Sequence, residues 1–283
     1  MRGYELTDFE WGVIAPLLPN KPRGVPRVDD RRVLNGIFWV LRTGAPWRAL
    51  PKDFGPRTTC YNRFVRWRKA GVWDRVLTAV TKAYDGDVQM IDSTSVRVHQ
   101  HAANSKNHPD RCMGRSRGGL TTKIHALTDA RGLPLELVLT PGQAGDCPVA
   151  EQLLGWLHPD TIVLADKAYD ADWLRREIEA AGAAPNIPAM VHRRWKPCFS
   201  PVLYRARNRI ERFFNRIKHF RRLATRYEKH AANFLAMLKL AAAHLWLRHY
   251  ESMSEAIFLS GSILRCDPGL RARFSELRLT PLF

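Results

Sequence analysis

Three acidic residues, Asp92, Asp166 and Glu211, have neighbours that suit them to joint chemistry. Asp92 ends the short apolar run VQMID and Asp166 ends TIVLAD, and both runs are typical of buried strands. Glu211 stands among basic residues in YRARNRIERFFNRIK, Tyr204 to Lys218. Clustered carboxylates suit Mg²⁺ or Mn²⁺, and two such ions can activate a nucleophile and stabilise the leaving oxygen of a phosphodiester. We therefore expect phosphoryl transfer on DNA, with these three residues as catalytic metal ligands.

The segment around Glu211 predicts a helix with a packing face and a reactive edge. At about 100° per residue, the apolar stripe of this helix consists of Ile210, Phe213, Phe214 and Ile217. Arg207, Glu211 and Lys218 line the flank of that stripe. Between Arg205 and Lys229 there are ten basic and two acidic residues, and like charges at that density repel unless a polyanion lies across them. The alternative is a solvated basic helix with one stray glutamate.

Composition narrows the class of partner. Lys plus Arg total 45 against 27 Asp plus Glu, which gives a formal charge of +18 and a pI near 10.3. Such a charge favours nucleic acid, with an anionic membrane as the weaker choice. The most apolar stretch, residues 231–247, carries Asn233, Lys239 and His244, so we expect no membrane span. The five cysteines include no CxxC pair, which indicates a reducing compartment, and the N-terminus is unlike a signal peptide. We expect a cytoplasmic, nucleoid-associated protein.

Periodicity predicts two domains and a tail. Residues 1–84 read as helical segments separated by breaks that contain proline and glycine. Residues 85–250 read as three strands, helix, strand, helix, strand, helix. This order matches a ribonuclease-H-like mixed α/β domain, in which Asp92 and Asp166 would meet at the carboxyl ends of neighbouring strands. Residues 251–283 form a tail with little usable pattern.

The third helical segment of the N-terminal domain could enter a major groove in the helix-turn-helix manner. The predicted DNA contacts on it are Arg57, Thr59, Asn62, Arg63 and Arg66. A plain helical bundle with basic surface positions is the alternative. Further predicted contacts in the second domain are Arg115, Arg117 and Lys123. The loop that carries the first two lacks the GK[ST] ending of a P-loop, so we expect no nucleotide cofactor.

Histidines allow a second kind of site. His99, His101, His108 and Cys112 lie in a short segment that could suggest zinc, but their spacing fits no usual finger pattern. We therefore expect no zinc there. His125, inside a strand-like segment, is predicted to be packed or hydrogen-bonded rather than to act as a general base.

The motifs around the three carboxylates resemble those of a known family. MIDST around Asp92, ADKAYD around Asp166 and the spacing Tyr204-x2-Arg207-x3-Glu211-x6-Lys218 are similar to the DDE transposases of bacterial insertion sequences, specifically insertion-sequence family five and its relative family four. The resemblance covers roughly residues 5–248. It implies that the three carboxylates hold two Mg²⁺ or Mn²⁺ ions, and that Tyr204, Arg207 and Lys218 contact DNA near the cut.

One position departs from the pattern of that family. Ala168, within ADKAYD, stands where members usually carry glycine. The replacement would impair activity if that turn requires a positive φ.

The resemblance implies a transposase that binds the terminal inverted repeats of its element, hydrolyses DNA there and transfers the 3′ ends to target DNA. Because a synapse joins two element ends, we expect at least a homodimer on DNA. Two alternatives remain at this point. A metal-dependent nuclease would cut without joining, and a catalytically dead DNA-binding regulator would bind without cutting.

Overall fold

A computed structural model describes residues 5–19, 29–82, 84, 86–103 and 111–259. The chain forms two compact units. One is Tyr84–Leu238, and the other combines the N-terminal helices with the chain from Lys239 onward. The predicted bounds of 1–84, 85–250 and 251–283 stay predictions. Residues 251–259 of the predicted tail continue the last helix, and residues 260–283 lie outside the described part.

The described regular structure of the first unit is helical, and the second unit combines helices with a sheet. In chain order the helices are α1 (Asp8–Ile14), α2 (Asp30–Thr43), α3 (Arg57–Lys69), α4 (Val72–Thr81), α5 (Gln100–Ala103), α6 (Cys147–Leu154), α7 (Asp172–Ala180), α8 (Pro201–Tyr204), α9 (Asn208–Lys218), α10 (Arg221–Ala224) and α11 (Ala231–Leu259). Within the described residues, no helix combines the length and the apolar character needed to cross a membrane.

The first unit is a helical bundle with an aromatic core. Helix α1 begins with a capping box, in which Thr7 and Glu10 each accept the other's backbone N–H. Gly71, with φ +66°, provides the left-handed turn between α3 and α4. Phe64, Trp67 and Trp73 pack in the core between these helices.

Side-chain contacts link helix α11, from Lys239 onward, to the N-terminal helices. Lys239 Nζ lies 2.7 Å from Asp74 Oδ1 on α4. His244 Nδ1 lies 3.0 Å from the buried Glu10 Oε1. The Tyr250 hydroxyl donates to the carbonyl oxygen of Val80 at 2.8 Å. Helix α11 therefore supplies part of the bundle.

The second unit is built on a seven-stranded mixed sheet. Its strands are β1 (Val88–Val98), β2 (Gly114–Ser116), β3 (Gly119–Asp129), β4 (Pro134–Pro141), β5 (Ile162–Leu164), β6 (Ala184–Asn186) and β7 (Thr225–Arg226). The order is β2-β3-β1-β5-β6, while β4 pairs with β3 and β7 with β1. The strand-like segments LTTKIHALTD and LPLELVLT, on either side of the turn at residues 130–132, predict a hairpin. The antiparallel pairing of β3 and β4 confirms it.

Strand β1 is longer than predicted. We expected it to end at Asp92, but it continues to Val98 because β3 pairs with it from Gln89 to Arg97. The parallel neighbour β5 pairs with β1 only as far as Met90 opposite Leu164. Asp92 therefore lies in the middle of its strand, at the point where the neighbouring strand has just ended.

Candidate active site

The register of β1 and β5 places Asp92 and Asp166 side by side. Met90 is opposite Leu164, and each aspartate follows two residues later on its own chain segment. Because side chains alternate between the two faces of a strand, Asp92 projects from the same face as Met90. The first two carboxylates thus meet at the open end of β5, as expected for ligand sites of α/β sheets.

Helix α9 brings the third carboxylate to the same place. Its predicted apolar stripe is confirmed, since Ile210, Phe213, Phe214 and Ile217 are all buried. Lys218, near the end of the helix, donates from Nζ to the Thr94 hydroxyl on β1 at 2.9 Å. Glu211 lies in the first turn, with its side chain half exposed.

The three carboxylates converge on one guanidinium, that of Arg207. Its Nη2 lies 2.7 Å from Asp92 Oδ2 and 4.0 Å from Asp166 Oδ2. Its Nη1 lies 2.8 Å from Glu211 Oε1. The Tyr204 ring lies 5.9 Å from the guanidinium carbon, on the preceding turn. The structure thus brings together the predicted residues Asp92, Asp166, Glu211, Tyr204 and Arg207.

Burial and charge oppose each other within this cluster. Burial raises the pKa of Asp92 above its usual value, although the Arg207 guanidinium and the backbone N–H of Ser93, 2.8 Å away, both favour the carboxylate. Burial would lower the pKa of Arg207, but the surrounding carboxylates, Asp92 foremost, raise it above its usual value. Arg207 therefore remains a cation that offsets the negative charge of the site.

Hard divalent cations fit the donor set of this cluster. All three side chains offer carboxylate oxygens, the ligands that Mg²⁺ and Mn²⁺ prefer, and all three already approach a single cationic group. Within the described residues, no three His, Cys, Asp or Glu side chains are arranged to share an ion directly. The guanidinium lies between the carboxylates, so a metal ion would have to displace Arg207.

Ala168 fits its turn without strain. Asp166 caps the short 3₁₀ turn Lys167–Tyr169 by accepting from the backbone N–H of Ala168 at 2.8 Å. Among the described residues, Cys112 and Asp160 are the non-glycine residues with positive φ, so Ala168 adopts an ordinary backbone conformation. The turn therefore does not require the glycine that the family usually carries there.

A second cluster lies beside Asp92 and was missed by the sequence analysis. Asp146 Oδ1 accepts from the Ser93 hydroxyl at 2.7 Å and lies 3.0 Å from Lys123 Nζ. Lys123, predicted to contact DNA, also donates to the carbonyl oxygen of Ala144 at 2.6 Å. The motif LTPGQAGD, which ends in Asp146, could have drawn attention to this carboxylate. The pairing of Asp146 with Lys123 depends on the fold and is not visible in the sequence.

His125 is buried and hydrogen-bonded, in agreement with its prediction as a packed histidine. Its Nε2 lies 2.8 Å from the Thr140 hydroxyl, and its Nδ1 lies 3.8 Å from Asp146 Oδ1. Burial lowers the pKa of His125 from 6.5 to about 4, against the opposing effect of Asp146. The imidazole is therefore neutral at neutral pH.

This lowered pKa predicts a loss of stability in mild acid. The unfolded chain takes up the proton near pH 6.5 and the folded protein only near pH 4, so stability is complete above pH 6.5 and falls between these values. The loss should reach roughly 3 kcal/mol. Urea unfolding at pH 7.5 and pH 4.5 measures this loss of unfolding free energy.

His125→Gln keeps a polar partner for Thr140, and its unfolding free energy should depend less on pH. An equal pH dependence in wild type and variant would contradict the assignment of the effect to His125.

The predicted DNA contacts of the first unit differ in their surroundings. On α3, Arg57, Asn62 and Arg66 are exposed and Thr59 is partly exposed. Arg63 is instead engaged within the unit, where it forms an ion pair with Asp30, and its guanidinium lies 5.4 Å from the centre of the Trp67 ring. These residues stay predictions as DNA contacts, and Arg63 has a structural partner as well.

The predicted glycine-bearing loop at residues 115–119 is mostly a hairpin. Gly114–Ser116 forms β2 and pairs with the start of β3, and Gly119 turns the chain with φ +91°. Arg115 and Arg117 are both exposed on this hairpin. Both side chains are accessible, and their role as DNA contacts stays a prediction.

The described part of the histidine-rich segment contains ring contacts. The His99 ring centre lies 4.6 Å from that of Tyr227 and 4.7 Å from that of His101. His108 lies outside the described residues, and the expectation about zinc stays a prediction.

Comparison with known proteins extends these observations. Residues 83–246 match a family model described as the transposase DDE domain, and residues 6–77 match one for transposases of the IS4/5 family. The chain is 45% identical over 135 residues to a protein named as a transposase of insertion sequence element IS6501 from Brucella ovis, covering 46% of this chain and 100% of that protein. It is 32% identical over 130 residues to one named for IS402 from Burkholderia cepacia, covering 42% of this chain and 59% of that protein.

A solved structure shares the fold. The piggyBac transposase, determined in a synaptic complex with hairpin DNA, aligns with a TM-score of 0.51 and 11% identity, covering 96% of this chain and 78% of that chain. This likeness confirms the predicted fold class, a ribonuclease-H-like mixed α/β domain preceded by a helical region.

Proposed function

The chain belongs to the transposase DDE domain family, and from that premise we propose that it moves an insertion sequence of family five. It binds the terminal inverted repeats of its element, hydrolyses phosphodiester bonds at the element ends and transfers the 3′ ends to target DNA. The observation that carries this proposal is the convergence of Asp92, Asp166 and Glu211 on one cationic group at the end of β5.

The three carboxylates are proposed to hold two Mg²⁺ or Mn²⁺ ions. Such ions activate the attacking oxygen and stabilise the leaving oxygen of a phosphodiester. Asp92 is held in place by the backbone N–H of Ser93, and Asp166 by that of Ala168. Glu211 approaches from the half-exposed edge of α9, the side from which DNA can enter.

Basic and aromatic residues around the triad are proposed to position the DNA. Arg207, once displaced from the carboxylates, presents a planar donor fork that suits a phosphate. Tyr204 lies beside it and Lys218 lies along the same edge of α9. These three side chains would orient the phosphodiester for attack.

The proposed partners are DNA and a second copy of this chain. Double-stranded DNA is the substrate, as terminal repeats and as target, and a homodimer forms the synaptic complex. Residues 1–84 recognise the element ends through α3, and residues 85–250 cut and join. Arg115, Arg117 and Lys123 are further proposed DNA contacts. Lys123 would contact DNA only after its ion pair with Asp146 is broken. The protein is proposed to act in the cytoplasm, on the nucleoid.

A strand-transfer assay tests the proposal. Purified protein is incubated with labelled terminal-repeat DNA, Mg²⁺ or Mn²⁺ and a target plasmid. Joined product is expected. Cutting without joining would favour a nuclease, and binding without cutting would indicate a regulatory copy.

If α3 recognises the terminal repeats, substitutions on it should change the preference for that DNA. Arg66→Ala should reduce the preference for terminal-repeat DNA over unrelated duplex by about 1–3 kcal/mol, with an unchanged melting temperature because its side chain is exposed. Arg63→Ala should lower the melting temperature, since it breaks the partly buried ion pair with Asp30. Competition binding and thermal unfolding measure the two effects.

The matched control for both variants is Arg75→Ala, an exposed arginine on α4 of the same unit. It should retain the preference for terminal repeats. An unchanged preference in Arg66→Ala would remove this position from recognition.

A further inference from the structure

The second unit contains a basic cavity on another face of α9. Its volume is about 680 Å³, and its charged and polar lining consists of Arg131, Arg209, Arg212, Asn215, Arg216 and His219. Among the residues that the structure describes, no carboxylate lines this cavity. Four arginines around one concavity form a strongly positive site that none of the chemistry at the triad uses.

The cavity has a defined shape, because hydrogen bonds hold the turn between β3 and β4 against α9. Arg209 Nη1 donates to the carbonyl oxygen of Ala130 at 2.6 Å, and Arg216 Nη2 donates to that of Gly132 at 2.8 Å. Gly132 has φ +75°, and a Cβ there would lie 2.4 Å from the carbonyl oxygen of Arg209. Glycine is therefore needed for this close approach, which sets Arg131 against the helix.

One buried carboxylate, Asp129, interacts with Arg131 and Arg216 and offsets part of the positive charge of the cavity. Asp129, the acidic residue at the start of the turn, is buried and accepts from the backbone N–H groups of Arg131 and Leu133. Burial lowers the pKa of Arg216, and the nearby Arg212 lowers it further, against the opposing effect of Asp129. A bound anion would relieve both effects.

The cavity is distinct from the triad. At about 100° per residue, Arg209, Arg212 and Arg216 lie roughly 100–160° around α9 from Glu211. Arg207 and Lys218, in contrast, lie within about 40° of Glu211 and face β1. One helix thus presents a catalytic edge on one side and an arginine cluster on another.

We propose that this arginine cavity binds the phosphate backbone of duplex DNA, away from the phosphodiester that is cut. Arginine forks bind phosphate oxygens in pairs, and Asn215 and His219 add donors at the rim. The inference rests on the proposed function, because a transposase must hold both its own ends and a target. Either the DNA flanking an element end or the target supplies the phosphates, and their chemistry is the same.

Arg212 is the position at which to test this, because it is exposed, while Arg209 and Arg216 also hold the turn. Arg212→Ala and Arg212→Glu are compared with wild type in fluorescence-anisotropy titrations of two duplexes, with and without terminal repeats, between 50 and 200 mM salt. Arg176→Ala, an exposed arginine on α7, is the matched control. Thermal unfolding checks that every variant is folded.

Arg212→Ala should weaken binding about three- to tenfold and reduce the slope of log K against log salt by about 0.9, the value for one lost phosphate contact. Arg212→Glu should weaken it more, and Arg176→Ala should match wild type. A loss confined to the terminal-repeat duplex assigns the site to element-end DNA, and a loss with both duplexes assigns it to DNA in general, including the target.

Unchanged affinity and slope in both Arg212 variants would overturn the inference, whatever the wild type catalyses. A wild-type protein that binds both duplexes but neither cuts nor joins would defeat the proposed function instead. In that case weaker binding by the Arg212 variants would still establish the phosphate site.

Discussion

Glu211→Gln is expected to reduce joined product at least about 10³-fold, a loss of roughly 4 kcal/mol of transition-state stabilisation. The substitution keeps the size of the side chain but removes the charge that faces Arg207 at 2.8 Å. The carboxylate is half exposed and lies on a helix held by a buried apolar stripe, so folding should be unaffected. The strand-transfer assay with terminal-repeat DNA and Mn²⁺ measures the effect.

Glu151→Gln provides the matched control, because Glu151 is an exposed glutamate on α6 of the same unit. It should join DNA at the wild-type rate. Asp92→Asn should lose activity as fully as Glu211→Gln, since both carboxylates contact the same guanidinium. Full activity in either triad variant would remove that carboxylate from the chemistry.

Short-range patterns in the sequence are enough to predict the parts of this site. The stripe of α9 follows from helical periodicity alone, because Ile210, Phe213, Phe214 and Ile217 recur at the spacing of one helix face. The hairpin of β3 and β4 follows from two apolar runs around the turn at Gly132. Such signals depend on neighbours along the chain, which a single sequence displays.

Features that depend on distant partners could not be predicted. Strand β1 continues past Asp92 through the segment STSVRV because β3 supplies its hydrogen bonds. The residues of that segment do not indicate which strand pairs with it. The ion pair of Lys123 with Asp146 is one such feature, because the two residues lie on different segments that only the fold brings together. The central position of Arg207 is of the same kind, since it requires β1, β5 and α9 to meet.

The position of Arg207 makes its removal informative about metal binding. The Arg207 side chain is 14% exposed and the Asp92 side chain 12%, so the pair is largely desolvated. Removing one partner of such a pair leaves a buried charge without compensation, at a cost of about 3–5 kcal/mol. Arg207→Gln should therefore be less stable than wild type without divalent ions. It should also bind Mn²⁺ more tightly, by about tenfold or ~1.4 kcal/mol, because no guanidinium competes for the carboxylates.

Two measurements without DNA check this expectation. Thermal unfolding should show a larger stabilisation by Mn²⁺ in Arg207→Gln than in wild type, because the ion replaces the missing cation. Titration of Mn²⁺ followed by electron paramagnetic resonance should show the tighter binding directly. Arg205→Gln, an exposed arginine of the same 3₁₀ turn, should behave like wild type in both. Equal Mn²⁺ affinity in wild type and Arg207→Gln would mean that the ion and the guanidinium do not share the carboxylates, and that Arg207 acts only on DNA.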